Sequence, residues 1–229
     1  MMFLCYFLIG AICGSFGQCF AYDWAYHQVN LMRRSQCDFC NQRLRWFHLI
    51  PILSSLWFRF RCDYCGQYLG RNYFWGELLS GISFCLIYIL FPSDSILWHL
   101  LWFITILLMI LMDQEAMWVP DTLQLLAVFL LLINQSYPLY FTSFCYVGFL
   151  LIVFYFLSPE KIGGADIKLM ISFSLLVSPY LLAYYFFGIS TVGLISWLCH
   201  NIRVRQWNQP FPFILSIIIG WHLYLWFVA

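Results

Sequence analysis

The sequence is poor in charge. Only 9% of its 229 residues are Asp, Glu, Lys or Arg, while 63% are hydrophobic. An ordinary soluble domain is about a quarter charged. This composition excludes a typical water-soluble globular domain. It predicts a membrane protein, because each spanning helix needs about 20 mostly apolar residues.

Basic residues are absent from the first part of the chain, and no Lys or Arg precedes Arg33. A cleaved secretory signal begins with basic residues and continues with a short apolar stretch. The apolar stretch here lacks that start and is long for a signal. We therefore expect a retained transmembrane helix whose N-terminus lies outside the cell.

Eight apolar segments follow one another, and prolines fall between them, where a missing N–H costs least. We expect an all-α polytopic membrane protein of about eight transmembrane helices. The segments are about 2–22, 73–91, 96–112, 122–134, 139–157, 166–178, 180–199 and 211–228.

The basic residues predict the orientation of these segments. With eight spans, all eleven lie in or beside connections on one side of the membrane, which the positive-inside tendency makes the cytoplasm. Both termini of this cell-membrane protein would then lie outside. The only sizeable cytoplasmic loop is 23–72. The eleven basic residues are Arg33, Arg34, Arg43, Arg45, Arg59, Arg61, Arg71, Lys161, Lys168, Arg203 and Arg205.

Four cysteines in this loop predict a zinc site. They form the pairs Cys37–Cys40 and Cys62–Cys65, in "CDFC" and "CDYC", separated by 21 residues. Two CxxC pairs at such a spacing are typical of a structural tetrahedral site with four cysteine ligands. Free thiols are the alternative, and a reducing cytoplasm disfavours disulfides. The arginines of the loop suit lipid headgroups better than nucleic acid, so we expect membrane lipid and no nucleic acid as partners.

Two aspartates at the predicted cytoplasmic surface, Asp113 and Asp166, suggest a catalytic pair. Taken singly, Asp113 could be a solvated helix end and Asp166 a simple N-cap. Together, two close carboxylates can share one proton, so that one activates water while the other donates to a substrate carbonyl. Gly163 and Gly164 would let the backbone approach a bound peptide.

Other polar residues near this surface have less specific interpretations. Asp121 follows Pro120 and is predicted to be an N-cap, with substrate orientation as an alternative. Lys168 could reach lipid headgroups or act on Asp166. Glu115 should face away from Asp113. The histidines show no ligand-like spacing: His27, His48 and His200 are placed in loops, and His99 and His222 are expected to pack.

Six motifs are spread over nearly the whole chain. They are "GAICGSF" at 10–16, "SQCDFCNQRLRWFHLIPILSSL" at 35–56, "RCDYC" at 61–65, "YFWGELLSG" at 73–81 with Glu77, "MDQEAMWVPD" at 112–121 and "GGADIKL" at 163–169. Together these motifs resemble the prepilin peptidase (type IV leader peptidase) family of membrane aspartic proteases, and small competence-type Gram-positive members in particular.

This resemblance implies a single membrane peptidase domain over 1–229, with the four-cysteine loop inserted at 23–72 and the peptidase core at 96–229. Asp113 and Asp166 would be its catalytic pair, and prepilin-like (competence pseudopilin) precursors its substrates. Cleavage would follow a Gly, at the cytoplasmic face, ahead of the hydrophobic helix of the pilin. The family's N-terminal half also implies N-methylation of the new terminus with S-adenosylmethionine.

The chain departs from the family pattern at five positions. Ala165 replaces a motif glycine of the second aspartate. Gln18 and Asp23 stand at the usual Asn and Arg places after "GSF". Phe60 replaces a glycine before the third cysteine, and Phe74 replaces the proline of "YP". Four of the five changes are in the N-terminal half, so the resemblance supports cleavage more strongly than methylation.

A non-enzymatic alternative is a zinc-stabilised membrane scaffold or assembly protein, in which both aspartates only cap helices. Such a protein should tolerate Asn at both positions, whereas a catalytic pair should not. A transporter is a third possibility, but no ionisable group is predicted deep within a span, where a proton or ion relay would need one.

Overall fold

The computed structural model describes residues 2–26, 34–37, 39–90, 96–133, 138–157, 163–204 and 211–228. The chain divides into two compact units, Met1–Leu111 and Met112–Ala229. Arg33, Lys161, Arg205 and His27, which carry parts of the sequence interpretation, lie outside the described residues.

Helices dominate the described residues, in which two isolated β-bridges are the only extended pairing. This confirms the predicted all-α class. The helices are α1 (Met2–Tyr26), α2 (Leu53–Trp57), α3 (Asn72–Leu90), α4 (Ile96–Ala116), α5 (Asp121–Ile133), α6 (Phe141–Leu157), α7 (Gly164–Ser174), α8 (Leu182–Val204) and α9 (Ile214–Val228).

Eight of these helices coincide with the eight predicted apolar segments, and the short α2 lies in the cysteine loop. Within the described ranges, four segments are long and apolar enough to cross a membrane: Met2–Tyr26, Asn72–Leu90, Ile96–Ala116 and Pro179–Ile202. Three further apolar helices are shorter, at Asp121–Ile133, Phe141–Leu157 and Ile214–Tyr224. His200 lies within α8, so its predicted place in a loop is wrong.

In the first unit, α1 and α3 pack closely through small residues. A Cβ added at Gly14 would lie 2.6 Å from Ser80 Oγ, and one at Gly10 would lie 2.6 Å from the Ser80 carbonyl oxygen. From α3, a Cβ added at Gly81 would meet the ring of Phe7 in α1. Small residues let helix backbones approach in lipid, where close packing replaces the hydrophobic effect as the source of association.

In the second unit, α7 is the central short helix and contacts α5, α6 and α9. Its apolar residues Leu169 and Phe173 are almost fully buried. The other close pair is α8 with α9, where Gly188 and Gly220 bring the two backbones together. This packing fixes the start of α7, which carries Asp166.

Candidate functional site

Asp113 lies near the end of α4 and is only 8% exposed. Its Oδ2 accepts a hydrogen bond of 3.0 Å from the backbone N–H of Ile214, at the start of α9. The backbone N–H of Phe213 also donates to this carboxylate. The interpretation of Asp113 as a solvated helix end is therefore wrong.

Asp166 is the third residue of α7 and is half-buried. The N-cap of this helix is Gly163, so Asp166 is not the simple N-cap that was the alternative interpretation. The carboxylate of Asp166 interacts electrostatically with that of Asp113. Both predicted aspartates thus lie in the second unit, near enough for their charges to interact, although 53 positions separate them in the sequence.

The small residues before Asp166 make room at this place. A Cβ at Gly163 would lie 2.9 Å from Asp166 Oδ2, so a larger residue would press on the carboxylate. A Cβ at Gly164 would meet nothing within 4 Å, which leaves open space beside the helix start. Ala165 has no positive φ. Its substitution for the family's glycine therefore does not strain the backbone here.

Two acidic side chains in this arrangement can perform acid–base chemistry. Like charges that interact in a poorly solvated place disfavour double ionisation, so a pair of this kind can share one proton. A protonated and an ionised carboxyl group are the two partners needed to polarise a carbonyl and to activate water.

Asp121 and Lys168 form an ion pair with each other. Lys168 Nζ donates to Asp121 Oδ1 at 2.7 Å, and both side chains are more than half exposed. The carbonyl of Pro120 accepts the first backbone hydrogen bonds of α5, so Asp121 is the first helical residue and its prediction as an N-cap is wrong. Glu115 is exposed, as expected for a residue that faces away from the buried Asp113.

The four cysteines of the loop come together as predicted. The Sγ atoms of Cys37, Cys40, Cys62 and Cys65 all lie within 4.8 Å of one another. A tetrahedral zinc site with bonds of about 2.3 Å places its sulfur atoms roughly 3.8 Å apart. The cluster is therefore already close to the size that zinc requires, with four protein ligands and no open position for a substrate.

The two cysteine pairs have the same backbone structure. Cys37 N–H donates to the Gln42 carbonyl at 3.0 Å, and Cys62 N–H donates to the Gln67 carbonyl at 2.9 Å. Each knuckle turns through a residue with positive φ, Asn41 at 55° and Gly66 at 70°. These residue types tolerate that conformation best. The eight-residue repeat of 37–44 at 62–69 could have been found in the sequence.

The thiols of this cluster resist ionising together. Burial opposes the thiolate of Cys62, but backbone N–H groups of Cys65 and Tyr64 lower its pKa to about 7. The Gln42 backbone acts to lower the pKa of Cys40, yet hydrogen bonds with the other three thiols help to raise it to about 11. A divalent cation would supply the charge that allows all four to ionise.

A cavity of about 250 Å³ lies in the first unit, between α1, the cysteine loop and α3. Much of its lining is aromatic, and the charged residues Asp23, Glu77 and Arg34 also line it. The aromatic lining includes Phe16, Phe20, Tyr22, Phe58, Phe60 and Tyr73. Such a mixture of rings and charges suits a small ligand that carries both apolar and charged parts.

Glu77 is a buried acid that the sequence interpretation placed in a motif but did not assign to a site. It is 5% exposed, and its Oε2 accepts a 2.6 Å hydrogen bond from the Ile52 N–H. Ser15 also hydrogen-bonds this carboxylate. Ile52 has φ 65°, which is rare for a β-branched residue. An acid within an otherwise apolar segment was the signal that could have identified it.

The four N-terminal departures from the family pattern lie in the first unit, and two of them contact each other. Phe60 has φ 61°, which explains why glycine suits this position. Its ring packs edge-to-face on Phe74, with centroids 5.7 Å apart. Gln18 donates to the Tyr73 carbonyl at 3.5 Å, and Asp23 lines the cavity.

Comparisons with known proteins match most of the chain. The family model for the bacterial peptidase A24 N-terminal domain matches residues 8–91, and the one for the type IV leader peptidase family matches residues 98–198. No solved structure matches the chain.

Curated relatives carry consistent names. A prepilin leader peptidase/N-methyltransferase of Bacillus subtilis (strain 168) is 28% identical over 224 residues, covering 93% of this chain and 90% of that protein. One of Vibrio cholerae is 25% identical, covering 75% of this chain and 73% of that protein. A type 4 prepilin-like proteins leader peptide-processing enzyme of Escherichia coli O78:H11 is 32% identical over 91 residues, covering 38% of this chain and 33% of that protein.

The two adjoining family matches, the relatives and the apolar helices lead to one conclusion. Several helices that can cross a membrane make this a multi-pass membrane protein. The chain belongs to the type IV leader peptidase, or prepilin peptidase, family.

Proposed function

We propose that this protein is a membrane aspartic endopeptidase that removes the leader from prepilin-like precursors. The observation that carries the proposal is the pairing of Asp113 with Asp166 in the second unit. Family membership and the names of the relatives support the same reaction. Competence pseudopilins are the substrates that the length and motifs of the chain favour.

The reaction that this pair supports is hydrolysis of a peptide bond. The ionised carboxylate takes a proton from water while the water oxygen attacks the scissile carbonyl carbon. The protonated carboxyl group donates its proton to the carbonyl oxygen, which gives a tetrahedral gem-diol. The proton taken from water then passes to the amide nitrogen, the C–N bond breaks, and a diol proton returns to the carboxylate pair as the new carboxyl group forms. The open space beside Gly164 and the exposed ion pair of Asp121 and Lys168 give a substrate backbone room and polar partners.

Replacing each aspartate by Asn tests this proposal directly. Asn keeps the size of the side chain but removes its acid–base chemistry. Asp113→Asn and Asp166→Asn should each lower cleavage of a co-expressed prepilin by roughly 10²–10⁴ or more, while the protein still accumulates in the membrane. Glu115→Gln is the matched control and should cleave almost normally, because Glu115 is exposed.

The same substitutions test the scaffold alternative. A zinc-stabilised assembly protein would use the two aspartates only for local hydrogen bonds, which Asn can replace in part. Normal prepilin cleavage by both Asn variants would overturn the peptidase proposal and leave the scaffold as the better explanation.

We place the site at the cytoplasmic face, with both termini outside. The argument is the shared side of all eleven basic residues in an eight-span chain. A reporter that is active only outside the cytoplasm should work when fused at Ala229 or near Asp94, and should be silent near Asn41 or Arg203. An inactive reporter at Ala229 would require an odd number of spans.

The cysteine cluster would hold one structural zinc ion. Its four Sγ atoms fit a closed tetrahedral site, so zinc would stabilise the loop and would not take part in peptide hydrolysis. The loop holds the aromatic residues that line one side of the cavity in the first unit.

A second activity, N-methylation of the newly exposed terminus, is favoured by that cavity. S-adenosylmethionine carries a sulfonium cation, an amino-acid end with an ammonium and a carboxylate, and an adenosine with an aromatic base. Aromatic faces and the carboxylates of Asp23 and Glu77 would attract the sulfonium, and Arg34 would bind the carboxylate. Bound there, S-adenosylmethionine would supply an electrophilic methyl group for the amine, which would lose a proton, and these cavity residues would hold and orient it.

A labelled donor tests this second activity. Purified protein should transfer a labelled methyl group from S-adenosylmethionine to a synthetic peptide that begins at the mature pilin N-terminus, so that prior cleavage is unnecessary. A mature terminus that gains no methyl mass, from protein that cleaves normally, would limit the function to cleavage.

A further inference from the structure

We propose that the start of α9 is a third part of the peptidase site, in which the Ile214 backbone N–H positions Asp113 and keeps it as the ionised, water-activating partner of Asp166. This inference rests on the proposed peptidase function. It assigns different roles to the two aspartates, and it adds a segment that lies beyond residues 98–198, where the match to the leader peptidase family ends.

The contact joins two buried groups that are far apart in sequence. Asp113 Oδ2 lies 3.0 Å from the Ile214 nitrogen, across 101 positions, and Ile214 is fully buried. The Phe213 N–H reaches the same carboxylate. Hydrogen bonds to a charged acceptor are stronger than those between neutral groups, and they are stronger still where water is excluded.

The local structure of α9 leaves the Ile214 N–H available for this contact. The Phe213 carbonyl accepts hydrogen bonds from the N–H groups of Ser216 and Ile217, at 2.9 and 3.3 Å. Phe213 is therefore the N-cap, and Ile214 is the first helical residue. The first N–H groups of a helix have no partner within it, and the positive end of the helix dipole favours an anion there.

The two aspartates differ in their donors. Burial opposes the charge on both carboxylates, but Asp113 also accepts from two backbone N–H groups, which favour its charged form. Asp166 also lies in the first turn of a helix, but among the described residues the structure gives its carboxylate no hydrogen-bond donor. When the pair holds one proton, that proton therefore belongs on Asp166, which can donate it to the substrate carbonyl.

The body of α9 holds its first turn in place. Its Trp221 ring packs on Phe173 of α7, with centroids 5.1 Å apart. A Cβ at Gly220 would lie 2.7 Å from the Ile189 nitrogen of α8, so the two backbones are in direct contact. Because α7 carries Asp166, α9 connects the helix of one aspartate with the carboxylate of the other.

Proline at position 214 tests the inference by removing the N–H, and the smaller buried side chain that it brings is matched by a valine control. Proline fits the first position of a helix, where its fixed φ is suitable. Ile214→Pro should lower kcat for cleavage of a prepilin-like peptide by roughly ten- to hundredfold, as expected for one charge-assisted hydrogen bond. KM should change little, because Ile214 is buried and its N–H contacts Asp113 rather than substrate.

A matched variant separates this effect from a fault in folding. Ile214→Val also shortens the buried side chain but keeps the N–H, so its kcat is the reference for that of Ile214→Pro. The thermal midpoint of each variant in detergent should stay near that of the parent.

Two results would overturn the inference. One is an Ile214→Pro enzyme with the kcat of Ile214→Val. The other is a loss of kcat in Ile214→Pro that comes with a clear fall of its thermal midpoint below that of Ile214→Val, which would assign α9 a structural role only. Asp113→Asn in the same assay keeps the proposed function separate, since an active Asp113→Asn enzyme would refute the peptidase mechanism itself.

Discussion

The two units of this protein bury a carboxylate in the same way and surround it differently. Glu77 accepts a hydrogen bond from the Ile52 N–H at 2.6 Å, just before α2, and Asp113 accepts one from the Ile214 N–H at 3.0 Å, at the start of α9. Asp113 has a second carboxylate beside it, whereas Glu77 lines a cavity. The same local contact can therefore support proton transfer in one unit and ligand binding in the other.

The units also differ in how they depart from the family pattern. In the second unit the change of a motif glycine to Ala165 meets no conformational obstacle, because Ala165 has no positive φ. In the first unit Phe60 keeps the backbone that glycine favours, and Asp23 changes the lining of the cavity. The second unit should therefore tolerate alanine at position 165. Substitutions at the departures in the first unit should tell more about how the chain differs from its family.

The largest effect should come from removing two zinc ligands. Structural zinc contributes on the order of 10 kcal/mol to the folding of small zinc domains. Cys37→Ser combined with Cys40→Ser should lower zinc from about one per chain to almost none and reduce the yield of protein. Metal analysis and quantification of the purified protein measure both. Cys145→Ser is the control, because this exposed cysteine lies in α6, outside the cluster.

The same double variant tests whether the two activities can be separated. Any protein that accumulates should lose methyl transfer more than prepilin cleavage, because the loop lines the cavity and the aspartates belong to the other unit. Metal-free protein with normal yield and stability would contradict the assignment of a four-cysteine zinc site. Equal loss of both activities would show that the units do not act independently.

A smaller effect is expected from Glu77→Gln. Gln keeps an oxygen that can accept from Ile52, but it removes the negative charge proposed to attract the methyl donor. Loss of a buried charge opposite a cation costs about 2 kcal/mol, or roughly 30-fold in methyl transfer. Transfer to a mature-terminus peptide and cleavage of the precursor should be measured on the same preparation.

The two rates together show whether Glu77 acts only in methyl transfer. Cleavage by Glu77→Gln should stay within about twofold of the parent, and Glu115→Gln should leave methyl transfer unchanged. If Glu77→Gln lowers both rates together with the thermal midpoint, Glu77 serves the stability of the loop, and the proposed role in donor binding is wrong.

Much of the fold was predictable because apolar periodicity and proline placement are local properties. All eight predicted segments correspond to helices, and the four cysteines come together as their spacing indicates. The pairing of Asp113 with Ile214 was not predictable, since it joins backbone and side chain across 101 positions. Asp121 was misassigned because an aspartate after proline fits both the N-cap and the first helical position, and only the backbone hydrogen bonds distinguish them.

A modest effect is expected at the exposed ion pair. Asp121→Asn and Lys168→Met should each change stability by less than about 1 kcal/mol, because exposed pairs contribute little. If the pair orients a substrate, KM for precursor cleavage should rise a few-fold while kcat stays near the parent value. Steady-state kinetics at several precursor concentrations measure both. An inactive Asp121→Asn beside an active Asp113→Asn would require Asp121 to replace Asp113 in the catalytic pair.

The smallest net effect is expected at Phe60, where two contributions oppose each other. Glycine would relieve a positive φ that costs roughly 1–3 kcal/mol for a bulky residue. It would also lose the ring contact with Phe74, worth about 0.5–1.5 kcal/mol, and add backbone freedom to the unfolded chain. Phe60→Gly should therefore stay within about 1 kcal/mol of the parent, whereas Phe74→Ala should only destabilise. In the Phe74→Ala background, the ring of Phe60 has already lost this partner, so Phe60→Gly should raise the thermal midpoint.

A double-mutant cycle in detergent measures how far the effect of Phe60→Gly depends on Phe74. Equal effects of Phe60→Gly in both backgrounds would show that the two departures in the first unit do not compensate for each other.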